Sequence, residues 1–238
     1  MSEDLIGKLS DFEAAQLIYN WPTWARAEQL APKGDWHTWL VLAGRGFGKT
    51  RTGAEWVREE IESGRSGRMA IIAPTSADLR DVIVEGESGI LATAPPWNRP
   101  LYEPSKRRLT WNNGAIATLF SAEAPERLRG PQHDNAWCDE VAAWPDPQMV
   151  MDMLTFGLRL GKFPRTVLTT TPKPVAYLKN LLKLAQDPAS GIVVTRGSTY
   201  DNLANLAKPF QKAILQYEGT RLGQQEIHAE IVDFNEIS

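Results

Sequence analysis

Residues 41–56, VLAGRGFGKTRTGAEW, place a glycine-rich turn between an apolar run and a segment with helical spacing. The apolar run, residues 39–43, is typical of a short, fully buried parallel strand. Beyond the turn, Ala54, Val57 and Ile61 recur at the spacing of one helix face. Where strand, glycine-rich turn and helix follow in this order, backbone N–H groups converge on an anion at the helix N-terminus. The stretch therefore predicts a phosphate-binding loop.

Residues 43–50 nearly match the phosphate-loop pattern G-x-x-x-x-G-K-[ST], with an alanine in place of the first glycine. Close approach of the backbone to phosphate oxygens is still allowed by the loop glycines, which are Gly44, Gly46 and Gly48. We expect Lys49 to reach the β and γ phosphates and Thr50 to hold Mg²⁺. The alternative is a glycine-rich turn that binds nothing, which the flanking strand and helix patterns disfavour.

An acidic pair, Asp139 and Glu140, follows the apolar run in NAWCDEV. Because the carboxyl ends of parallel strands line the crevice beside a phosphate loop, we expect Asp139 to hold Mg²⁺ through water. We expect Glu140 to orient the attacking water and accept its proton, which favours ATP hydrolysis over transfer to a small molecule. A helix N-cap followed by a first-turn acid is the alternative. No N-K-x-D motif occurs, so a GTPase is disfavoured.

Three threonine hydroxyls end the next predicted strand, in VLTTTPKP: Thr169, Thr170 and Thr171. One of them could sense the γ-phosphate and relay its loss to a neighbouring element. Threonine is also simply common at the ends of strands.

ATP hydrolysis also requires an arginine, because a guanidinium can neutralise the charge that spreads over the transferred phosphoryl oxygens. Arg45 lies inside the loop, and Arg127 and Arg129 lie shortly before the acidic pair. Ordinary surface ion pairs explain such arginines equally well.

The chain has 238 residues, enough for one sizeable core or a core with a small appendage. Its single cysteine, Cys138, excludes an intrachain disulfide, and its three histidines show no metal-ligand spacing. No apolar run approaches the ~18 residues of a membrane span, and residues 1–10 lack the features of a signal peptide. We therefore expect a cytoplasmic protein without membrane contact, whose metal arrives with the nucleotide.

The net charge of −3 leaves no overall basic excess for binding nucleic acid. The richest basic stretch is residues 99–108, where four cations face only Glu103. A DNA contact and a solvated strand edge both remain open for this stretch.

Four further apolar runs, separated by helical stretches or loops, predict an α/β fold with a mostly parallel sheet: residues 69–73, 136–138, 166–169 and 192–195. A hairpin is predicted at Asn113-Gly114, which joins two strand-like runs. We divide the chain into an N-terminal segment with the ATPase core, residues 1–204, and a helical lid with the start of a linker, residues 205–238. Gly219 is expected to break the lid. The last carboxylates are expected on a solvated helix or tail rather than in a metal cluster: Glu226, Glu230, Asp233 and Glu236.

Taken together, the motifs resemble the large terminase subunit of tailed bacteriophages, the ATPase that packages DNA into the capsid. LAGRGFGKTRTGAEWVR is similar to its Walker A stretch, LRGPQHDNAWCDE to its arginine and Walker B region, and TTTPKP to its coupling motif. The resemblance spans about residues 20–235. It implies a RecA-like (ASCE-type) P-loop ATPase with a central, mostly parallel sheet flanked by helices and a small helical lid.

The resemblance also implies roles for single residues and partners. Gln29 would read adenine, Arg45 would act in catalysis, and Arg129 would act on the ATP of a neighbouring subunit. The cofactors would be ATP and Mg²⁺, and the partners double-stranded DNA, the portal protein, the small terminase subunit and further copies in a homo-oligomeric ring. The compartment would be the cytoplasm of the infected host cell. Terminases also carry a carboxyl-terminal nuclease, and since nothing after Ile231 can supply one, no cleavage is expected from this chain.

Two other classes of function compete with this interpretation. A helicase-like DNA translocase would fit the DEVA segment, but it needs a second RecA-like domain, for which the chain is too short. A ring-assembly module that binds nucleotide with little turnover is disfavoured by Glu140. A metabolic kinase is a more distant alternative.

Overall fold

Eight strands form one sheet within residues 9–232, the part of the chain that the computed structural model describes. The strands are β1 (Thr38–Ala43), β2 (Arg68–Ala73), β3 (Leu101–Glu103), β4 (Arg108–Thr110), β5 (Ile116–Ser121), β6 (Asn135–Asp139), β7 (Arg165–Thr170) and β8 (Ile192–Gly197). Across the sheet their order is β3-β4-β5-β2-β6-β7-β1-β8. Pairing is parallel from β5 across to β8, whereas β3 and β4 are antiparallel to their neighbours. The predicted α/β class with a mostly parallel sheet is confirmed.

The antiparallel edge begins with the predicted hairpin, in which β4 pairs with β5. Gly114 at its tip has a φ of 87°, a left-handed conformation that favours glycine. The Asn113 side chain accepts a hydrogen bond from the backbone N–H of Ala115, which fixes the turn locally. The hairpin prediction is therefore confirmed.

Helices cover both faces of the sheet. The α-helices are α1 (Asp11–Ile18), α2 (Trp21–Trp24), α3 (Lys49–Glu62), α4 (Ser76–Asp78), α5 (Ile90–Thr93), α6 (Pro147–Gly157), α7 (Ala176–Leu184), α8 (Lys208–Ile214) and α9 (Arg221–Glu226). A π-helix spans Leu79–Val84, and 3₁₀ turns include Ala27–Gln29, Pro125–Leu128 and Thr199–Asn205. Among the helices described, none has both the length and the apolarity to cross a lipid bilayer.

The sheet is buried on both faces, as a parallel sheet must be when helices flank it. Successive side chains of a strand point to opposite faces, so β1 contributes to two separate cores. Val41 packs with Val57 of α3 on one face. Leu40 packs with Leu154 of α6 and Leu178 of α7 on the other.

Helices α8 and α9 follow the last strand, in the segment predicted to be a helical lid. Gly219, at a φ of 73°, interrupts it as predicted. The prediction of a solvated carboxylate is wrong for Glu226, whose side chain is only 15% exposed and pairs with Arg45. Glu230 is exposed, whereas Asp233 and Glu236 lie outside the described residues, as does the predicted linker. The division of the chain at residues 204 and 205 stays a prediction.

Candidate functional site

Strand order brings the predicted site residues to one edge of the sheet. Strands β6, β7 and β1 are neighbours and run parallel, so their carboxyl ends lie side by side. The glycine-rich loop leaves β1, the acidic pair begins at the last residue of β6, and the three threonines lie at and directly after the end of β7 between them. The crevice at the carboxyl ends of parallel strands is where ligands bind in open α/β sheets.

The loop between β1 and α3 depends on its glycines. Gly46 and Gly48 have φ values of 71° and 101°, and Gly48 is the residue at which α3 is capped. Side chains with a Cβ rarely adopt these angles. At Gly44 a Cβ would lie 2.6 Å from the carbonyl oxygen of Ile227, so only glycine lets the end of α9 approach the loop.

Lys49 opens α3 and its side chain is almost fully buried. Its Nζ donates to the carbonyl oxygens of Ala43 and Gly44 at 3.2 and 3.3 Å. The same Nζ lies 3.3 Å from Oε1 of Glu140. The loop lysine and the second acid of the predicted pair therefore meet, although they are far apart in sequence.

Asp139 is the last residue of β6, and its carboxylate is buried. Its Oδ1 accepts a hydrogen bond from the hydroxyl of Thr169 at 2.6 Å. Burial, together with the negative charge of Glu140, raises the pKa of Asp139 to about 7. Thr169 and Lys49 thus only partly compensate the cost of burying this negative charge. A bound cation would stabilise the ionised carboxylate further.

Glu140 has a φ of 48°, in the left-handed region that non-glycine residues rarely occupy. Strained backbone of this kind clusters at functional sites. The turn places the side chain beside Lys49, and the backbone N–H and hydroxyl of Thr171 donate to its two carboxylate oxygens at 3.1 and 3.2 Å.

Each threonine at the end of β7 contacts a different part of the acidic segment. Thr169 donates to Asp139, and Thr171 donates to Glu140. The hydroxyl of Thr170 accepts from the backbone N–H of Ala142 at 3.1 Å. The three side chains thus connect the end of β7 to residues 139–142, while a sensor role for them stays a prediction.

A cleft of about 740 Å³ opens over these groups. This is within the range of roughly 300–1,000 Å³ that small-molecule sites occupy. Its charged and hydroxyl lining includes Arg45, Lys49, Asp78, Glu140, Thr171 and Lys173.

Arg45 and Lys173 are the remaining cations of that lining. The guanidinium of Arg45 donates through Nε to Glu226 Oε2 at 2.7 Å and is 73% exposed. Lys173 is half-buried, and its ammonium group has no hydrogen-bond or ion-pair partner within residues 9–232. Sequence reasoning missed Lys173 because a lysine after a strand is unremarkable, and it missed Glu226 because 181 residues separate that side chain from Arg45.

Two other predicted residues lie away from the cleft lining. Arg129 is exposed and borders a separate hollow with Phe156 and Arg159, and Arg127 is also exposed. Gln29 is buried against the back of the phosphate loop, where its Nε2 lies 3.2 Å from the hydroxyl of Thr52. Adenine reading by Gln29 and action in trans by Arg129 stay predictions.

The basic stretch 99–108 is less positive than its sequence indicates. Glu103 accepts from Lys106 at 2.5 Å and from Arg108 at 2.8 Å. These pairs neutralise part of the stretch, and DNA contact there stays a prediction.

Residues 40–234 match the family model described as terminase large subunit, T4likevirus-type, N-terminal. The chain belongs to this family. The matched range contains the phosphate loop, the acidic pair and the threonines, so the family assignment covers the cleft as a whole. Among curated proteins, none matches the chain significantly.

Solved structures of terminases share the fold of this chain. The large terminase ATPase domain of Thermus phage P74-26 is 19% identical, with a TM-score of 0.66 over 94% of this chain and 98% of that one. The large terminase of a thermophilic bacteriophage, solved in complex with ADP, is 17% identical, with a TM-score of 0.68 over 92% of this chain and 53% of that one. The chain thus spans about half the length of that ADP-bound terminase. A DNA packaging motor named Phi-28 gp11 is 12% identical, with a TM-score of 0.51 over 84% of this chain and 67% of that one.

Proposed function

We propose that this chain hydrolyses ATP and serves as the motor domain that drives double-stranded DNA into a phage procapsid. The observation that carries the proposal is the meeting of Lys49 and Glu140 in one crevice, with the buried carboxylate of Asp139 directly before Glu140 in the chain. A phosphate-binding lysine and two acids in different environments are the parts that ATP hydrolysis needs. The family assignment supports the same conclusion.

The phosphates of ATP would bind at the start of α3. The loop's backbone N–H groups and the N-terminal end of the helix dipole attract anions there. Phosphate oxygens would compete with Glu140 for Lys49, whose Nζ already points into the cleft. Their arrival would release the carboxylate of Glu140 for its own role.

A magnesium ion would be held by Thr50 and Asp139. The residues fit such an ion, because burial and a neighbouring negative charge already raise the pKa of Asp139 and a divalent cation would compensate both. When bound, Mg²⁺ would supply neutralisation of phosphate charge.

Glu140 would orient the attacking water and accept its proton. The backbone N–H and hydroxyl of Thr171 hold the carboxylate in a defined orientation, which leaves less rotational freedom to lose before reaction. Thr169 holds Asp139 in the same way. Loss of the γ-phosphate would change the contacts of these three threonines with residues 139–142 and so shift β7, as a coupling element requires.

Two arginines would stabilise the charge that develops during transfer. Arg45 would act on the nucleotide of its own chain after leaving Glu226. Arg129, exposed and outside the cleft lining, would reach the nucleotide of a neighbouring copy in a ring. Gln29 would contribute to adenine recognition from the back of the loop.

The partners of the motor follow from the family rather than from any contact in the chain. They would be double-stranded DNA, a portal protein, a small terminase subunit and further copies of this chain, acting in the cytoplasm of the infected cell. A helicase-like translocase and a ring-assembly module with little turnover are the competing functions.

Two substitutions test the hydrolysis. Lys49→Ala should weaken ATP binding, because it removes the cation that faces the phosphates. Glu140→Gln should leave binding nearly intact and reduce turnover at least ~100-fold, because general-base catalysis contributes ~10²–10⁴.

Binding is measured by calorimetry and turnover by phosphate release, with and without DNA. Glu126→Gln, an exposed carboxylate outside the cleft lining, is the matched control. Unchanged turnover in Glu140→Gln would contradict the proposed base, and negligible turnover in the parent chain with DNA and portal present would favour the assembly module.

A further inference from the structure

The carbonyl oxygens of the phosphate loop are held from outside by side chains of two distant segments. Four consecutive carbonyls accept such bonds: Arg45 from Thr199 Oγ1 (2.7 Å), Gly46 from Asn202 Nδ2 (2.6 Å), Phe47 from an Arg26 Nη, and Gly48 from Gln29 Nε2 (3.5 Å). Two donors precede β1, and the other two lie in the 3₁₀ helix Thr199–Asn205 after β8. Side chains from both ends of the fold therefore surround the loop.

Arg26 and Asn202 join these two segments directly. The second Nη of Arg26 donates to Asn202 Oδ1 at 2.8 Å across 176 residues of sequence. The guanidinium also lies over the ring of Phe47, with 4.6 Å from its carbon to the ring centroid. Both residues therefore contact the loop and each other.

Arg26 does not form an ordinary surface ion pair. Within residues 9–232 no carboxylate lies at ion-pair distance from it, and its buried Nε has no hydrogen-bond partner. Burial lowers the pKa of Arg26. The guanidinium of Arg26 therefore binds a carbonyl of the phosphate loop instead of a carboxylate, which indicates that its role concerns the loop.

The geometry of the peptide bond turns these contacts into an effect on phosphate binding. A carbonyl and the following N–H share one plane and point in opposite directions. Because Arg26 holds the carbonyl of Phe47 outward, the N–H of Gly48 points inward, and Thr199 does the same for Gly46 through the carbonyl of Arg45. Asn202 contributes by fixing the guanidinium of Arg26 and by holding the carbonyl of Gly46 between these two positions. The N–H groups of Gly46 and Gly48 have no hydrogen-bond partner among the described residues. Converging free N–H groups of this kind form an anion-binding nest.

We propose that Arg26 and Asn202 are positioning residues that hold the phosphate loop in its anion-binding conformation. The ligand class is the polyphosphate group itself, independent of the base. The proposal rests on the proposed function of the cleft as an ATP site. Without the two side chains, the loop would have to be ordered at the moment of binding, which lowers affinity.

The test compares Asn202→Ala with the parent chain, using inorganic pyrophosphate and ATP as separate probes with Mg²⁺ in calorimetry. Three hydrogen bonds of the Asn202 side chain are lost, to Gly46, from Arg26 and from Asn205. The first two bear on the loop, so we expect both affinities to fall by a similar factor of roughly 10, at ~1 kcal/mol or less per bond. Hydrogen exchange in residues 41–56 should quicken, while the melting temperature changes little. Arg26→Lys, which keeps the charge but not the two-armed donation, should show the same pattern.

Asn98→Ala is the matched control, because it removes an exposed hydrogen bond to Glu62 at the far end of α3. Unchanged pyrophosphate affinity in Asn202→Ala would overturn the inference, as would a loss confined to ATP. Lys49→Ala distinguishes a failure of the proposed function from a failure of this inference. If it leaves pyrophosphate binding intact, the proposed function fails. If it weakens binding while Asn202→Ala does not, only the inference fails.

Discussion

Replacing Gly53 by alanine should displace Trp137 and weaken both the fold and the candidate site. Gly53 lies inside α3, where alanine ordinarily stabilises a helix by about 1 kcal/mol relative to glycine. Here the added Cβ would lie 2.0 Å from Cε2 of Trp137 and 2.3 Å from both Cζ2 and Nε1. Carbon atoms in contact prefer ~3.5–4.0 Å, so helix and indole would have to separate by more than ~1 Å.

The steric cost should exceed the gain in helix propensity. Trp137 is fully buried in a central strand, and the start of α3 is tied to the phosphate loop. Overpacking of well-packed cores costs roughly 1–3 kcal/mol, and a rigid indole with no room to move belongs at the upper end. After subtracting the propensity term, we expect the free energy of unfolding to fall by about 2 kcal/mol, measured by urea denaturation.

The same displacement should reach the acids. The indole N–H of Trp137 donates to Thr169 Oγ1 at 3.0 Å, and that hydroxyl donates to Asp139 at 2.6 Å. ATP turnover in Gly53→Ala should therefore fall at temperatures where the variant is still folded.

Gly67→Ala is the control, since its Cβ would meet only a side-chain oxygen of Asp134 at 3.8 Å, an ordinary contact. Its stability should change by less than about 1 kcal/mol. The double variant Gly53→Ala with Trp137→Leu should be at least ~1 kcal/mol more stable than the sum of the single effects, because leucine lacks the clashing atoms. A Gly53→Ala variant that is more stable than the parent chain would refute the reasoning.

Burial lowers the pKa of His133 to about 4 from 6.5, so between these values the unfolded chain takes up a proton that the folded chain excludes, and stability is lost as the pH falls. At ~1.4 kcal/mol per pKa unit, the free energy of unfolding should fall on the order of 3 kcal/mol between these pH values. His133→Leu should remove this fall, as measured by urea denaturation at pH 7, 5 and 4. An equal fall in that variant would contradict the assignment. Glu226→Gln should lower the free energy of unfolding by less than ~1 kcal/mol, because its partner Arg45 is largely exposed, and a loss above ~2 kcal/mol would show that this pair contributes more than exposed pairs do. Arg129→Ala should keep ATP binding but reduce turnover of the assembled ring by ~10³–10⁵, and mixing it with Glu140→Gln should restore some activity, whereas a mixture as inactive as either variant would exclude action in trans.

The local features of the site could be predicted from short stretches of sequence. The loop glycines, Lys49 and the helix that follows obey rules of backbone angle and residue spacing that involve only neighbouring residues. The hairpin at Asn113-Gly114 follows from turn geometry for the same reason. Asp139 and Glu140 could be predicted because an apolar run that ends in acids indicates where a strand stops.

Contacts between distant segments could not be predicted this way. Sequence alone predicts Glu226 on a solvated helix or tail, because nothing near it in sequence indicates Arg45. Nothing in TTTPKP indicates that its lysine lines the cleft. The resemblance alone predicts adenine recognition by Gln29, whereas the fold places its side-chain amide against Thr52 of α3.

Sequence by itself determined that a phosphate loop, an acidic strand end and a threonine-rich strand end exist in this chain. Tertiary structure decided that they meet, because the order β6-β7-β1 places three separate strand ends next to one another. It also decided that Arg26 and Asn202, 176 residues apart, hold one loop from outside. Local conformational preferences depend on adjacent residues, whereas the partners of a loop carbonyl depend on which segments the sheet and its two cores bring within hydrogen-bond distance.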